Sequence, residues 1–230
     1  KKIIQSCGLH SIPDRRTFDR RFRVLPIQDM IGTMGKAFAS ENLADCRIVA
    51  VDSSLIYAAN RRIWHKKDMI QNRMPRPGID GDARWGFART KGWVFGYKIH
   101  MCCSTGLLPV PLSTIVLPAN VDDTQAYCGL VESISDDVKY VVADMGYDDH
   151  KLYDFTRKKG ARLIYPIRRY RYTEGERLKL IRFYESRQGR RIYHRRGISV
   201  EPLFQCIKDV FGISVMPVYG FENVRSYVLM

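Results

Sequence analysis

Several features are missing from this 230-residue sequence, and each absence removes a class of protein. No apolar run approaches the ~18 residues that a membrane-spanning helix needs. The chain opens with Lys1-Lys2-Ile3-Ile4 and then turns polar, without the pattern of a secretory leader. An initiator methionine is also missing, which predicts a piece of a longer protein. A chain of this length still buries a core without a disulfide or a structural metal.

The cysteines lack the spacing of a metal site. No Cys-x-x-Cys pair occurs, and no histidine stands at zinc-finger distance from a cysteine. We therefore predict that the cysteines are small buried side chains in a protein of the reducing cytosol. The six residues are Cys7, Cys46, Cys102, Cys103, Cys128 and Cys206.

Acidic residues are in short supply. The sequence has 38 Lys and Arg against 24 Asp and Glu, a formal net charge of +14. Residues 151–201 alone carry 16 basic and 5 acidic residues. A surface with so much charge of one sign favours a polyanionic partner, and nucleic acid is the commonest one. The alternative is a solvated basic face that only aids solubility.

The hydrophobic pattern predicts an α/β protein. β-Branched runs between turn signals predict strands, and apolar residues at helical spacing predict helices. The predicted strands are 47–52, 96–103, 108–117, 139–143, 162–166 and 190–194. The predicted helices are 14–22, 148–159, 173–185 and 199–212. A further helix is predicted from the apolar stripe Ile27, Met30, Ile31, Met34 and Phe38, and another is predicted to be capped at 122–124. Residues 57–94 are predicted to be a loop, and Ser199 to be an N-cap.

Three carboxylates stand where such a fold builds its sites. Asp52 and Asp144 each end a predicted strand, and Glu201 opens a predicted helix. Three converging carboxylates could hold two Mg²⁺ or Mn²⁺ ions for phosphoryl chemistry. Taken singly, each Asp could equally be a turn former, and Glu201 could simply favour the helix dipole. Lys208, seven residues after Glu201, shares its helix face, either to hold a phosphate or to face solvent.

Combined, these motifs resemble the insertion-sequence DDE transposases, in the group marked by a Tyr-Arg-Glu-Lys signature. The resemblance runs from about Arg47 to the end of the sequence. Its segments are Val51-Asp52-Ser53-Ser54, Gly96-Tyr97-Lys98-Ile99-His100, Leu117-Pro118-Ala119-Asn120-Val121-Asp122-Asp123, Ala143-Asp144-Met145-Gly146-Tyr147-Asp148, and Glu201 with Lys208.

The resemblance implies a ribonuclease-H-like mixed sheet flanked by helices, with a helical N-terminal arm and a basic insertion before the last catalytic helix. Residues 1–45 would be the arm, a remnant of a DNA-binding region, and 46–230 the catalytic domain. Asp52, Asp144 and Glu201 would be the catalytic, metal-binding residues, holding two Mg²⁺ or Mn²⁺ ions. DNA would be bound by Tyr193, Arg195, Arg196 and Lys208.

One spacing departs from the family pattern. Four residues separate Arg196 from Glu201, where the family usually has three. Either the loop has one extra residue, or Arg195 and Arg196 share the role of the signature arginine.

The implied reaction is metal-dependent cleavage at transposon ends followed by strand transfer into target DNA. The implied partner is double-stranded DNA, with a homodimer in the synaptic complex and no membrane. The implied location is the cytoplasm, in association with the nucleoid. Two alternatives stay open: a host nuclease of the same fold, and a catalytically inactive or domesticated DNA-binding protein. Among other residues, His100 is predicted to be a core histidine, and Asp122 and Asp123 to be helix caps.

Overall fold

The computed structural model describes residues 14–22, 24–106, 108–132, 134, 137–169 and 174–229, so Cys7 lies outside the described residues. The strands are β1 (Asp45–Tyr57), β2 (Arg84–Ala88), β3 (Gly92–Thr105), β4 (Pro111–Pro118), β5 (Tyr140–Val142) and β6 (Arg162–Ile164). The helices are α1 (Arg15–Phe22), α2 (Ile27–Ser40), α3 (Lys66–Ile70), α4 (Asp123–Glu132), α5 (His150–Lys158), α6 (Gly175–Glu185), α7 (Arg187–His194), α8 (Val200–Asp209) and α9 (Phe221–Leu229). None of these described helices is long and apolar enough to cross a membrane.

The strands form one mixed sheet in the order β2-β3-β1-β5-β6. β1, β3 and β4 pair antiparallel, whereas β5 and β6 continue the sheet in parallel. The long strand β3 pairs with β2 over its first residues and with β4 over the rest. Antiparallel strands followed by parallel ones, with helices on both faces, confirm the predicted ribonuclease-H-like α/β class.

Alternating side chains on β1 divide the core between the two faces of the sheet. Val49 and Val51 point to one face, where they pack with side chains of α4 and α5. Ala50 and Ile56 point to the other face, where they pack with side chains of α7, α8 and α9. Full burial of each large aliphatic side chain contributes about 1.5–3 kcal/mol, so both faces hold helices firmly.

The helix predicted from the stripe at 27–38 is confirmed as α2, but two members of the stripe are exposed. Met30 and Met34 face solvent. The helix packs on the edge strand β4 through Gly35, where an added Cβ would lie 2.4 Å from the Leu112 side chain. Gln28 exchanges side-chain hydrogen bonds with the backbone of Thr114 in β4. These bonds satisfy polar backbone groups on a strand edge that would otherwise be unpaired.

Two predicted elements were wrong. Residues 57–94 are not one loop, because they contain α3 and β2. Gly86 weakened the strand signal, yet it is required in β2, since a Cβ there would lie 2.3 Å from the carbonyl oxygen of Ala119. Residues 190–194 form part of helix α7 rather than a strand. Ser186 caps that helix by accepting a hydrogen bond from the Gly189 backbone N–H at 3.0 Å.

The predictions for the helix caps and the cysteines had different outcomes. Ser199 does not cap α8 with its side chain, and its buried Oγ has no hydrogen-bond partner among the described residues. Asp122 caps its helix as predicted, accepting from the Thr124 backbone N–H at 2.9 Å. The five described cysteines are free thiols, and Cys102 and Cys103 are buried in the sheet.

Candidate active site

Asp52 and Asp144 lie level with each other on the two central strands. Ala50 of β1 pairs with Val142 of β5 as the last parallel pair, and each aspartate follows two residues later. Asp52 does not end its strand, as the sequence pattern predicted, because β1 continues to Tyr57 through its pairing with β3. The register therefore brings the two carboxylates to the same edge of the parallel half of the sheet.

A short 3-10 turn, Met145–Tyr147, holds the Asp144 side chain. The Gly146 backbone N–H donates to Asp144 Oδ1 at 2.8 Å. A Cβ on Gly146 would lie 2.9 Å from that oxygen, so only glycine leaves the carboxylate in place. The next residue, Tyr147, is fully buried and anchors the turn in the core.

Asp148, directly after this turn, pairs with α6, a helix of the basic segment that precedes α8. Its two carboxylate oxygens accept hydrogen bonds from Arg177 of α6, at 3.0 and 2.6 Å. The Asp148 side chain is 7% exposed and that of Arg177 is 30% exposed. Bidentate pairing of a guanidinium with a carboxylate is both strong and directional. The Asp-x-Gly-Tyr-Asp segment therefore combines one site carboxylate with one structural carboxylate.

The guanidinium of Arg196 connects the site carboxylates. Its Nη2 lies 2.6 Å from Asp52 Oδ2, and its Nη1 lies 3.3 Å from Glu201 Oε1. Burial lowers the pKa of Arg196, but the charges of Asp52, Tyr193, Asp144 and Glu201 together raise it above its ordinary value. One half-buried cation thus pairs with Asp52 and Glu201 and feels the charge of Asp144, the three acids predicted from the sequence.

The pKa of Asp52 is strongly perturbed. Burial raises its pKa from 3.8 to about 6. Arg196 and the Ser53 backbone N–H lower that pKa, whereas the neighbouring charges of Asp144 and Asp123 raise it. A carboxylate crowded by other carboxylates in a buried place is typical of a site that binds a cation.

Glu201 and Lys208 enter the site from α8. Glu201 lies in the first turn of the helix with its side chain 60% exposed, and Lys208 lies in the last turn. Phe204, on the same helix, is buried against the sheet and fixes the position of α8. Both charged residues line a cavity of about 460 Å³ that Asp52 also borders, as the seven-residue spacing predicted.

Tyr193 and Arg195 lie at different places. Tyr193 is half-buried beside Arg196 and packs edge-on against Tyr184, with ring centroids 5.2 Å apart. Arg195 points away from the acids, and its Nη1 lies 2.8 Å from Asp45 Oδ2 at the start of β1. The structure therefore places Arg196 and not Arg195 among the acids. Binding of DNA by either arginine stays a prediction.

Sequence reasoning missed the role of Asp123. It accepts hydrogen bonds from Ser53 Oγ at 2.9 Å and from Lys98 Nζ at 2.8 Å. His100 Nδ1 lies 3.7 Å from the same carboxylate, and burial lowers the pKa of this histidine to about 4. The available signal was the alternation of Lys98 and His100 on one strand face. Asp123 holds the residue that follows Asp52, which positions that strand segment.

The described residues do not form a ready-made metal cluster of three or more His, Cys, Asp or Glu ligands. In this conformation the Arg196 guanidinium takes the position between Asp52 and Glu201. The donor set itself fits a hard divalent cation, because three carboxylates already share one positive charge and offer only oxygen ligands.

A ribonuclease-H-like sheet with two acids level with each other on its central strands defines a class of α/β protein that carries a polar, acidic site. Residues 44–230 match the family model described as transposase DDE domain, and the chain belongs to this family. The recognition from sequence motifs is thereby confirmed.

Two solved structures are similar to the chain at low identity. One is piggyBac transposase, in a cryo-EM synaptic complex with hairpin DNA, at 11% identity and a TM-score of 0.39, covering 94% of this chain and 54% of that one. The other is a pre-cleavage Mos1 transpososome, at 12% identity and a TM-score of 0.27, covering 96% of this chain and 60% of that one. This chain thus spans less than two thirds of either protein. No curated protein matches it.

Proposed function

We propose that this transposase domain cuts DNA at transposon ends and transfers the freed strand into target DNA. One observation carries the proposal: the half-buried Arg196 guanidinium pairs with Asp52 at 2.6 Å and with Glu201 at 3.3 Å, and Asp144 lies level with Asp52 across the β1–β5 register. Carboxylates gathered in this way repel one another unless a cation is present. Two divalent ions offer more positive charge than one guanidinium and suit the same oxygen ligands.

Asp52, Asp144 and Glu201 would hold Mg²⁺ or Mn²⁺, as two ions. A divalent cation bound there supplies Lewis acidity to a phosphoryl oxygen and lowers the pKa of an attacking water. The chain's own residues orient the ligands. The Gly146 N–H fixes the Asp144 carboxylate, and Ser53 and Asp123 fix the strand that carries Asp52. Arg196, once released from the carboxylates, becomes available to a DNA phosphate.

Double-stranded DNA is the proposed partner. The net charge of +14 supports it, as do the exposed Arg187, Arg190 and Arg191 of α7, the helix that precedes Arg196. Phosphate contacts from these arginines would make binding steeply dependent on salt. We further propose a homodimer in the synaptic complex, binding of DNA by Tyr193 and Arg195, and a cytoplasmic location on the nucleoid. Residues 1–45 are proposed to be an arm left from a DNA-binding region.

Nicking of supercoiled plasmid in Mn²⁺ tests the proposal. The wild-type chain is compared with Asp144→Asn and with the control Asp154→Asn, which removes an exposed carboxylate of α5. We expect the wild type and D154N to nick and D144N to lose activity by at least about a hundredfold. Nicking that is equal in all three chains would exclude Asp144 from the chemistry. Salt-sensitive DNA binding without nicking in any chain would favour an inactive DNA-binding protein.

A further inference from the structure

A polar cluster lies behind Asp52, on the opposite face of the sheet. Successive side chains of a strand point to opposite faces, so Ser53 points away from the face that Asp52 shares with Ala50. Ser53 reaches the face on which Val51 packs with side chains of α4 and α5. Asp123, the first residue of α4, accepts a hydrogen bond from the Ser53 hydroxyl there. The Asp52–Ser53 peptide therefore connects the acidic site with the start of α4.

A lysine and a histidine of β3 surround the Asp123 carboxylate. Asp123 Oδ1 accepts from Lys98 Nζ at 2.8 Å and lies 3.7 Å from His100 Nδ1. The side chain of Lys98 is only 13% exposed, and it also donates to the Val121 backbone oxygen at 2.8 Å. His100 is fully buried and is the residue of β3 that pairs with Ser53. The register between β1 and β3 thus assembles the cluster directly behind the site.

Burying this cluster costs free energy. Neither ring nitrogen of His100 has a hydrogen-bond partner among the described residues. Lys98 and Asp123 lose hydration on burial, and apolar side chains of similar volume are often at least as stable in the place of such a pair. The cluster is therefore better explained by what it holds in place than by its contribution to stability.

Ser53 links the cluster to the acidic site through two hydrogen bonds. Its hydroxyl donates to Asp123 Oδ1 at 2.9 Å, and its backbone N–H donates to Asp52 Oδ1 at 2.9 Å. We propose that Asp123 is a positioning residue, which acts through Ser53 to orient the Asp52 carboxylate for a divalent metal. This inference rests on the proposed function. Losing a group that orients a metal ligand without touching the metal typically weakens metal binding by about ten- to a hundredfold.

Binding of Mn²⁺ to the chain in the absence of DNA tests this role. Electron paramagnetic resonance measures free Mn²⁺ and gives the dissociation constant without any cleavage reaction. The variants are Asp123→Asn, Ser53→Ala and the double substitution. Asp154→Asn is again the control, and Asp144→Asn tests the acidic site itself. Urea unfolding measures the stability of every chain. If D123N is unfolded without urea, S53A alone decides, because it keeps every charge of the cluster.

We expect D123N and S53A each to weaken Mn²⁺ binding by about tenfold. The double variant should bind about as weakly as either single variant, because both substitutions break the same chain of contacts. In the nicking assay, the Mn²⁺ concentration that gives half the maximal rate should rise. The rate at saturating Mn²⁺ should be largely retained, because the proposed metal ligands are intact. D154N should bind Mn²⁺ within about twofold of the wild type.

Three results would overturn the positioning role alone. One is S53A binding Mn²⁺ as tightly as D154N. Another is a double variant in which the two losses multiply, since that means independent effects. The third is a lower nicking rate at saturating Mn²⁺ with an unchanged dissociation constant, which indicates general damage to the chain. In each case, wild-type binding that D144N abolishes leaves the acidic site standing. A wild-type chain that does not bind Mn²⁺ would overturn both proposals.

Discussion

Replacing Asp52 with Asn should change how the stability of the chain depends on pH. Burial raises the pKa of Asp52 from 3.8 to about 6, even with Arg196 2.6 Å away. The folded chain therefore binds more protons than the unfolded chain between about pH 4 and pH 6. Stability from this group is present at low pH and is lost as the pH rises through 6. Asn resembles the protonated acid and has no such dependence.

The size of the effect follows from the pKa difference. A shift of about two units corresponds to about 3 kcal/mol over the full titration. Part of this free-energy change occurs below pH 5, as the pH approaches the ordinary pKa of 3.8 that the group has in the unfolded chain. Integrating the two titration curves from pH 5 to pH 8 leaves about 1 kcal/mol. The advantage of Asp52→Asn over the wild type should therefore grow by about 1 kcal/mol across this range.

Urea unfolding in EDTA at pH 5, 6, 7 and 8 measures this difference directly. Asp29→Asn is the matched control, because Asp29 is an exposed carboxylate in the first turn of α2. The D52N difference is compared with the D29N difference at each pH. A D52N difference that does not change relative to this control, or that shrinks as the pH rises, would refute the reasoning. Such a result would mean that Arg196 outweighs the cost of burying the Asp52 carboxylate.

Three further substitutions give separate outcomes. Gly146→Ala should displace the Asp144 carboxylate, because the new Cβ would lie 2.9 Å from its Oδ1, and should reduce Mn²⁺-dependent nicking at least about tenfold. Arg177→Gln should lower the free energy of unfolding by about 2–3 kcal/mol, since it leaves Asp148 buried without its bidentate partner. Gly96→Ala should cost about 3 kcal/mol or more in urea unfolding, because the Cβ would lie 2.0 Å from a carbonyl oxygen of the paired strand β1.

Matched controls separate these causes from general damage. Gly32→Ala places a methyl group in open space on α2 and should raise stability by about 0.5–1 kcal/mol. Arg157→Gln breaks only an exposed pair with Asp154 and should cost less than about 1 kcal/mol. G146A with full nicking activity would contradict the role given to the turn. R177Q or G96A with the stability of its control would contradict the packing argument.

Much of the fold follows from local pattern. The β-branched runs predicted the strands around residues 47–52, 139–143 and 162–166, and helical periodicity with start and stop signals predicted α2, α4, α5 and α8. These elements are strongly periodic, and their signals lie within the segment itself. The prediction of a strand at 190–194 was wrong. Ile192 and Tyr193 suit a strand, but the N-cap at Ser186 and the close packing of Gly189 favour a helix.

The sequence by itself determined the family and the mixed α/β class and predicted the three acids, because spacing along the chain carries that information. Only the tertiary structure decided which groups meet. It placed Arg196 between Asp52 and Glu201, turned Arg195 away and brought Lys91 and Lys208 to one cleft beside Asp52. Those contacts depend on the register between β1 and β5 and on helix packing across the sheet. Both are set by long-range burial of apolar side chains, which no local pattern in the chain records.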